Sequence, residues 1–144
     1  MGESQREIQK PLPEITPVNK PFWDAAKAGK LMMQKCQNCG TWVFCPRPVC
    51  GECASDKLEW VEVSQKGKIF AFTIIREVVG TALAGFAPDI PYVTAWVDLE
   101  DGPRICSNVI GSPIDQIKID MPVEVVFEDA GAGVTLPKFR PLNV

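Results

Sequence analysis

Between positions 92 and 99 the chain alternates: Val93, Ala95, Val97 and Leu99 fall on one side, Tyr92, Thr94, Trp96 and Asp98 on the other. A period of two predicts a strand with one buried and one mixed face. Val123, Val125 and Phe127 alternate with Glu124 and Glu128 in the same way. Runs at 58–63, 67–79 and 104–110, rich in Val, Ile, Phe and Thr, bring the predicted strands to five. Turn signals separate them at Lys66-Gly67, Asp101-Gly102-Pro103 and Gly111-Ser112-Pro113. Five short strands with one long connection, residues 80–91, predict a small closed barrel of the OB type, because a β-sandwich usually needs about seven.

Upstream, the run from Pro21 to Ala28 predicts a short helix with proline in its first turn and Gly29 as its terminator. About two turns cannot stand alone in water, so Phe22 and Trp23 are expected to anchor it. Residues 1–20 are polar and carry Pro11, Pro13 and Pro17, which predicts an extended arm. The expected organisation is mainly β: an arm (1–20), a helix with a cysteine-dense module (21–60), and a five-stranded barrel with a C-terminal tail (61–144).

The cysteine-dense module carries the strongest chemical signal. Cys36-x-x-Cys39 and Cys50-x-x-Cys53 enclose ten residues, the pattern of two knuckles closing on one ion. Zinc takes four thiolates in a tetrahedron, and a C-x-x-C turn lets two sulfurs face the same point. Gly40 and Gly51 ease the turn backbone. So small a module buries too little apolar surface to offset its chain entropy, whereas structural zinc supplies about 10–16 kcal/mol. A closed four-cysteine shell leaves no position for water, so the expected role is structural. Iron is a chemical alternative for four thiolates. A thioredoxin-like redox role would need a βαβ setting, which the flanking sequence lacks. Cys45 and Cys106 fall outside the pattern; the default expectation for both is a small apolar filler, while Cys45, in the loop between the knuckles, is also a candidate competing ligand or exposed thiol.

Composition then narrows the functional classes. The 144 residues include no histidine, which excludes Ser-His, Cys-His and His-metal mechanisms within the chain. A net charge of −3 argues against the broad cationic field of a nucleic-acid binder. No run approaches the roughly 20 apolar residues of a membrane span, and the first residues lack a hydrophobic signal core, so a cytoplasmic protein without a membrane partner is expected. In a reducing compartment the cysteines are expected to serve as ligands or thiols, not disulfides.

A set of residues recurs together in one family: Phe22-Trp23, the block from Lys35-Cys36 through Cys39-Gly40 to Arg47, then Cys50 to Cys53, Leu58-Glu59-Trp60, Pro91-Tyr92-Val93, Asp101-Gly102-Pro103-Arg104, Met121-Pro122-Val123 and Phe139-Arg140-Pro141. Over about residues 20–142 the chain resembles the acyl-CoA-associated family, long filed as a domain of unknown function, that joins a rubredoxin-like zinc ribbon to an OB fold. Cys45 departs from the proline found in many members. The resemblance implies a structural Zn2+ and a non-catalytic accessory subunit of a thiolase-type acyl-CoA C-acyltransferase. Such a subunit would shape or close the CoA and acyl site of a thiolase-fold partner. Thiolytic cleavage of benzoylsuccinyl-CoA, in aromatic degradation, is among the reactions implied.

An accessory role agrees with the residues themselves, because thiolysis needs an activated cysteine with acid and base groups, and the chain offers no such set. Arg47, Lys57, Lys138 and Arg140 are candidates for CoA phosphates, weighed against ordinary surface charge. The apolar 80–91 connection, with Leu83, Phe86, Pro88 and Ile90, is a candidate partner or acyl contact, weighed against self-packing over the barrel mouth. Trp60 and Trp96 are expected to pack. The alternative from a different class is a nucleic-acid-binding zinc-ribbon and OB module using stacked aromatics in a basic groove.

Overall fold

The computed structural model describes residues 9–142. Helix α1 (Lys20–Lys27) has Pro21 in its first turn and buries Phe22, Ala25 and Ala26. Gly29 ends it at φ +77°, a conformation glycine takes without a Cβ penalty. Asn19, just ahead of the helix, ties back to the arm instead of capping forward: its Oδ1 accepts from Thr16 N–H at 2.7 Å and its Nδ2 donates to Glu14 C=O at 2.9 Å. Residues 9–15 form neither helix nor strand; the first eight positions of the expected arm lie outside the described residues.

Strands β1 (Met32–Cys36), β2 (Trp42–Val43) and β3 (Leu58–Glu62) form a small antiparallel sheet in the order β2-β1-β3. The barrel follows: β4 (Lys66–Ile75), β5 (Tyr92–Leu99), β6 (Arg104–Val109), β7 (Pro122–Gly131) and β8 (Val134–Pro141), closed in the order β4-β5-β6-β8-β7. Closure removes the sheet edges that would otherwise seek other chains. The inward positions of the alternating runs, Val93, Ala95, Val97 and Leu99, pack with Ile69, Ile105, Val123 and Phe139. Each fully buried Val, Leu, Ile or Phe among them stabilises by roughly 2 kcal/mol. Phe22, Leu31 and Met33 belong to the same core, so helix and ribbon are packed onto the barrel.

Three expectations are corrected. The strand expected at 58–63 is not a barrel strand; it pairs with β1, from Met32 opposite Glu62 to Cys36 opposite Leu58. The barrel's fifth strand is β8, within what was expected to be a tail: it pairs with β7 along most of its length and meets β6 in parallel at Val109 and Phe139. The run expected to continue to residue 79 ends at Ile75. The 80–91 connection contains a 3₁₀ turn, Ala84–Asp89, that buries Gly85.

Candidate metal centre

The ribbon sheet builds the site. Cys36 closes β1, the chain turns through Gln37 and Asn38, and Cys39 follows; Gly40, at φ +76°, sends the chain back into β2. The second knuckle lies in the loop before β3. Gln34, itself buried, joins the two: its Nε2 donates to Arg47 C=O at 3.0 Å and its Oε1 accepts from Arg47 N–H at 2.8 Å. A buried side-chain amide with both ends satisfied fixes the inter-knuckle loop against β1.

The sulfurs of Cys36, Cys39, Cys50 and Cys53 all lie within 4.8 Å of one another. Cys36 to Cys53 and Cys39 to Cys50 are each 3.6 Å apart. Those spacings match the edge of about 3.8 Å that a tetrahedron with 2.3 Å zinc–sulfur bonds requires. They are far longer than a disulfide bond, and all six cysteines are free. Cys36 and Cys50 are buried while Cys39 and Cys53 are exposed, so the metal position lies at the rim of the ribbon.

Surrounding groups favour the thiolate at Cys39 and Cys53. Cys39 N–H reaches Cys36 Sγ at 3.5 Å, Glu52 N–H reaches Cys50 Sγ at 3.4 Å, and Asn38 Nδ2 reaches Cys53 Sγ at 3.4 Å. Thr41 Oγ1 sits 3.2 Å from Cys39 Sγ, placed to donate once the sulfur is ionised. Thr41, through hydroxyl and backbone, brings the Cys39 thiol down to about 6. Asn38, followed by the Ser55 backbone, lowers Cys53. Cys36 is raised: the Cys39 N–H pulls it down, but burial and the neighbouring thiols outweigh that pull. A soft, four-thiolate donor set with donors to its sulfurs fits a closed structural metal centre. Asn38, Thr41 and Gln34 were not singled out from the sequence; only their places inside or beside the knuckles pointed to them.

The other candidates do not converge on one place. Arg47 lies in the ribbon loop and makes no ion pair among the described residues. Phe86 and Lys138 line one groove of about 360 Å³ between the 3₁₀ turn and β6–β8. Lys138 already holds Glu128 at 3.1 Å, and Arg140 holds Glu124 at 3.0 Å. Lys57 makes no ion pair among the described residues. A second, apolar groove of about 420 Å³ runs between helix, ribbon and barrel, with Phe22, Trp23, Phe44 and Leu136 in its walls and both spare thiols, Cys45 and Cys106, facing it. Burial, then the proximity of Cys45, raises the Cys106 thiol, which makes it a poor nucleophile. Trp96 is half-exposed and meets Phe44 of the ribbon edge to face, so the ribbon leans on the β5–β6 surface that OB folds use for oligonucleotides.

Comparison with known families decides the relationship. Residues 23–59 match the ChsH2 rubredoxin-like zinc ribbon domain and residues 60–128 match the ChsH2 C-terminal OB-fold domain. A DUF35 domain-containing scaffold protein of Methanocaldococcus jannaschii is 33% identical over 116 residues, 76% of this chain and 79% of that protein. The chain belongs to the DUF35 family. A probable enoyl-CoA hydratase alpha subunit of Thermomonospora curvata is 32% identical over 96% of this chain, which spans only 42% of that protein's length. The benzoylsuccinyl-CoA thiolase subunit BbsA of Geobacter metallireducens is 30% identical over 84% of this chain and 80% of its own. Among solved structures, the Ltp2-ChsH2(DUF35) aldolase superposes with a TM-score of 0.75 at 33% identity, covering 90% of this chain and 98% of that one. No helix among the described residues is long and apolar enough to cross a membrane.

Proposed function

We propose that this DUF35 chain is a non-catalytic, cytoplasmic accessory subunit of an acyl-CoA enzyme, with zinc holding its ribbon folded and a thiolase-fold subunit as its partner. In this reading it shapes or closes the partner's CoA and acyl site, and thiolysis of benzoylsuccinyl-CoA is one reaction the assembly would carry out. The observation that carries the reading is the likeness, over 90% of this chain and 98% of that one, to a chain of the Ltp2-ChsH2(DUF35) aldolase, an enzyme named for this fold. The likeness to a thiolase subunit supports the same class.

The chain's own residues fit a supporting role. Four of six cysteines are placed for metal, histidine is absent, and of the remaining thiols Cys106 is raised by burial. With no histidine to serve as base, the chain pairs no thiol with an imidazole, and in this reading the bond-making groups belong to the partner. CoA contact, if made by this chain, falls first to Arg47, which makes no ion pair among the described residues, and to the groove beside Phe86. At Lys138 and Arg140 a phosphate would have to displace Glu128 and Glu124.

Co-expression with a thiolase-type subunit from the same genome tests the proposal. The two chains are expected to co-elute in size exclusion, and acyl-CoA turnover is expected to fall when this chain is omitted. Separate elution with unchanged turnover would refute it.

A further inference from the structure

The 3₁₀ turn of the 80–91 connection does not stand alone: the N-terminal arm lies across it. A Cβ added at Gly85 would meet Gln9 C and Lys10 N at 2.6 Å and Gln9 O at 2.7 Å, so the arm's backbone occupies the space a side chain would take. Beside this contact Lys10 pairs with Asp89, at the other end of the turn. The same ammonium stands 5.7 Å from the centroid of Phe86, whose ring packs on Tyr92 at 5.9 Å. Lys10, Phe86, Asp89 and Tyr92 together wall the groove that also contains Lys138. Pro11 and Pro13 follow, and their fixed φ lowers the entropy lost when the arm is held.

We propose that residues 9–10 are a releasable strap: seated on Gly85 and Asp89 they hold the 84–89 turn in place, and release frees that turn. The fastening suits such a role. Both members of the ion pair are about half-exposed, at 43% each, and an exposed pair is a weak, salt-sensitive hold. Gly85 has no need of a left-handed backbone, so alanine suits the turn, and the three atoms nearest its Cβ all belong to the strap. That makes the position a selective probe. Resting on the accessory-subunit reading, the strap then regulates how the 80–91 connection, with its half-exposed Leu83, is presented to the partner enzyme.

Amide hydrogen exchange on the full-length, zinc-loaded chain tests the strap without any partner. K10D and D89K are each expected to speed exchange across 84–92 by about two- to fivefold, the range set by an exposed ion pair. The double variant K10D/D89K reverses the pair and is expected to restore slow exchange. G85A is expected to speed exchange of the same segment while β6 and β7 amides keep wild-type protection. Wild-type exchange in all four variants, or singles and double alike with G85A unchanged, would overturn the strap. In the assembled complex, single variants are expected to change partner affinity by a similar factor and the double to restore it. Unchanged affinity with altered exchange would overturn the link to docking. Because exchange is read on the isolated chain, neither result is confused with failure of the chain to bind a partner at all.

Discussion

Replacing Gln34 by leucine tests how the two knuckles are held in register. The side chain is 5% exposed and spends both ends of its amide on Arg47, donating at 3.0 Å and accepting at 2.8 Å. Leucine fills similar volume but leaves the Arg47 N–H and C=O without these partners. At about 1 kcal/mol for each net hydrogen bond lost, plus partial desolvation of the stranded groups, the cost is about 2–3 kcal/mol. The loop carrying Arg47 leads straight to Cys50, so this cost falls on metal binding and lowers affinity by about 30- to 150-fold. Competition against a chromophoric chelator, monitored with circular dichroism to confirm that the barrel persists, measures it. Affinity within twofold of wild type would refute the idea that Gln34 couples the knuckles.

Other outcomes follow from the same geometry. Cys50→Ser, or chelation of the metal, is expected to unfold the ribbon, because the loss of about 10–16 kcal/mol exceeds what so small a module retains; exchange should rise over β1–β3 and stay slow over β5 and β6. Phe139→Ala removes a fully buried ring at the β6–β8 seam and is expected to cost about 3–5 kcal/mol in urea unfolding of the barrel. Alkylation of the metal-loaded protein should modify Cys45 and Cys106 and spare the other four thiols. Since burial raises Cys106, its rate should keep climbing above the pH at which an ordinary thiol has levelled off, and Cys45→Ala should move that rise to lower pH; mass-resolved alkylation rates check both.

The metal centre was legible because its information is local: two C-x-x-C turns dictate their own geometry, and the sulfurs meet as the spacing required. Alternation made β5 and β7 visible for a similar reason. Strand pairing was less legible. Leu58–Glu62 has the same texture whether it joins a barrel or a ribbon, and only the opposing register with β1 assigns it. In β8, Pro137 and Pro141 interrupt the run, and proline in a strand ordinarily argues against one, so the barrel's closing partner was hidden. The charges proposed for phosphate were visible as residue types, whereas their carboxylate partners, Glu128 and Glu124, come from the adjacent strand and appear only once β7 and β8 are paired.

The central claim is that one zinc ion held by four thiolates keeps this ribbon folded as part of an assembled acyl-CoA enzyme. Native mass spectrometry of the chain co-purified with the proposed thiolase-type partner tests it most directly. The account predicts one zinc per copy of this chain, retained in the complex and lost together with it on chelation. A folded, partner-bound chain that carries no metal would contradict it.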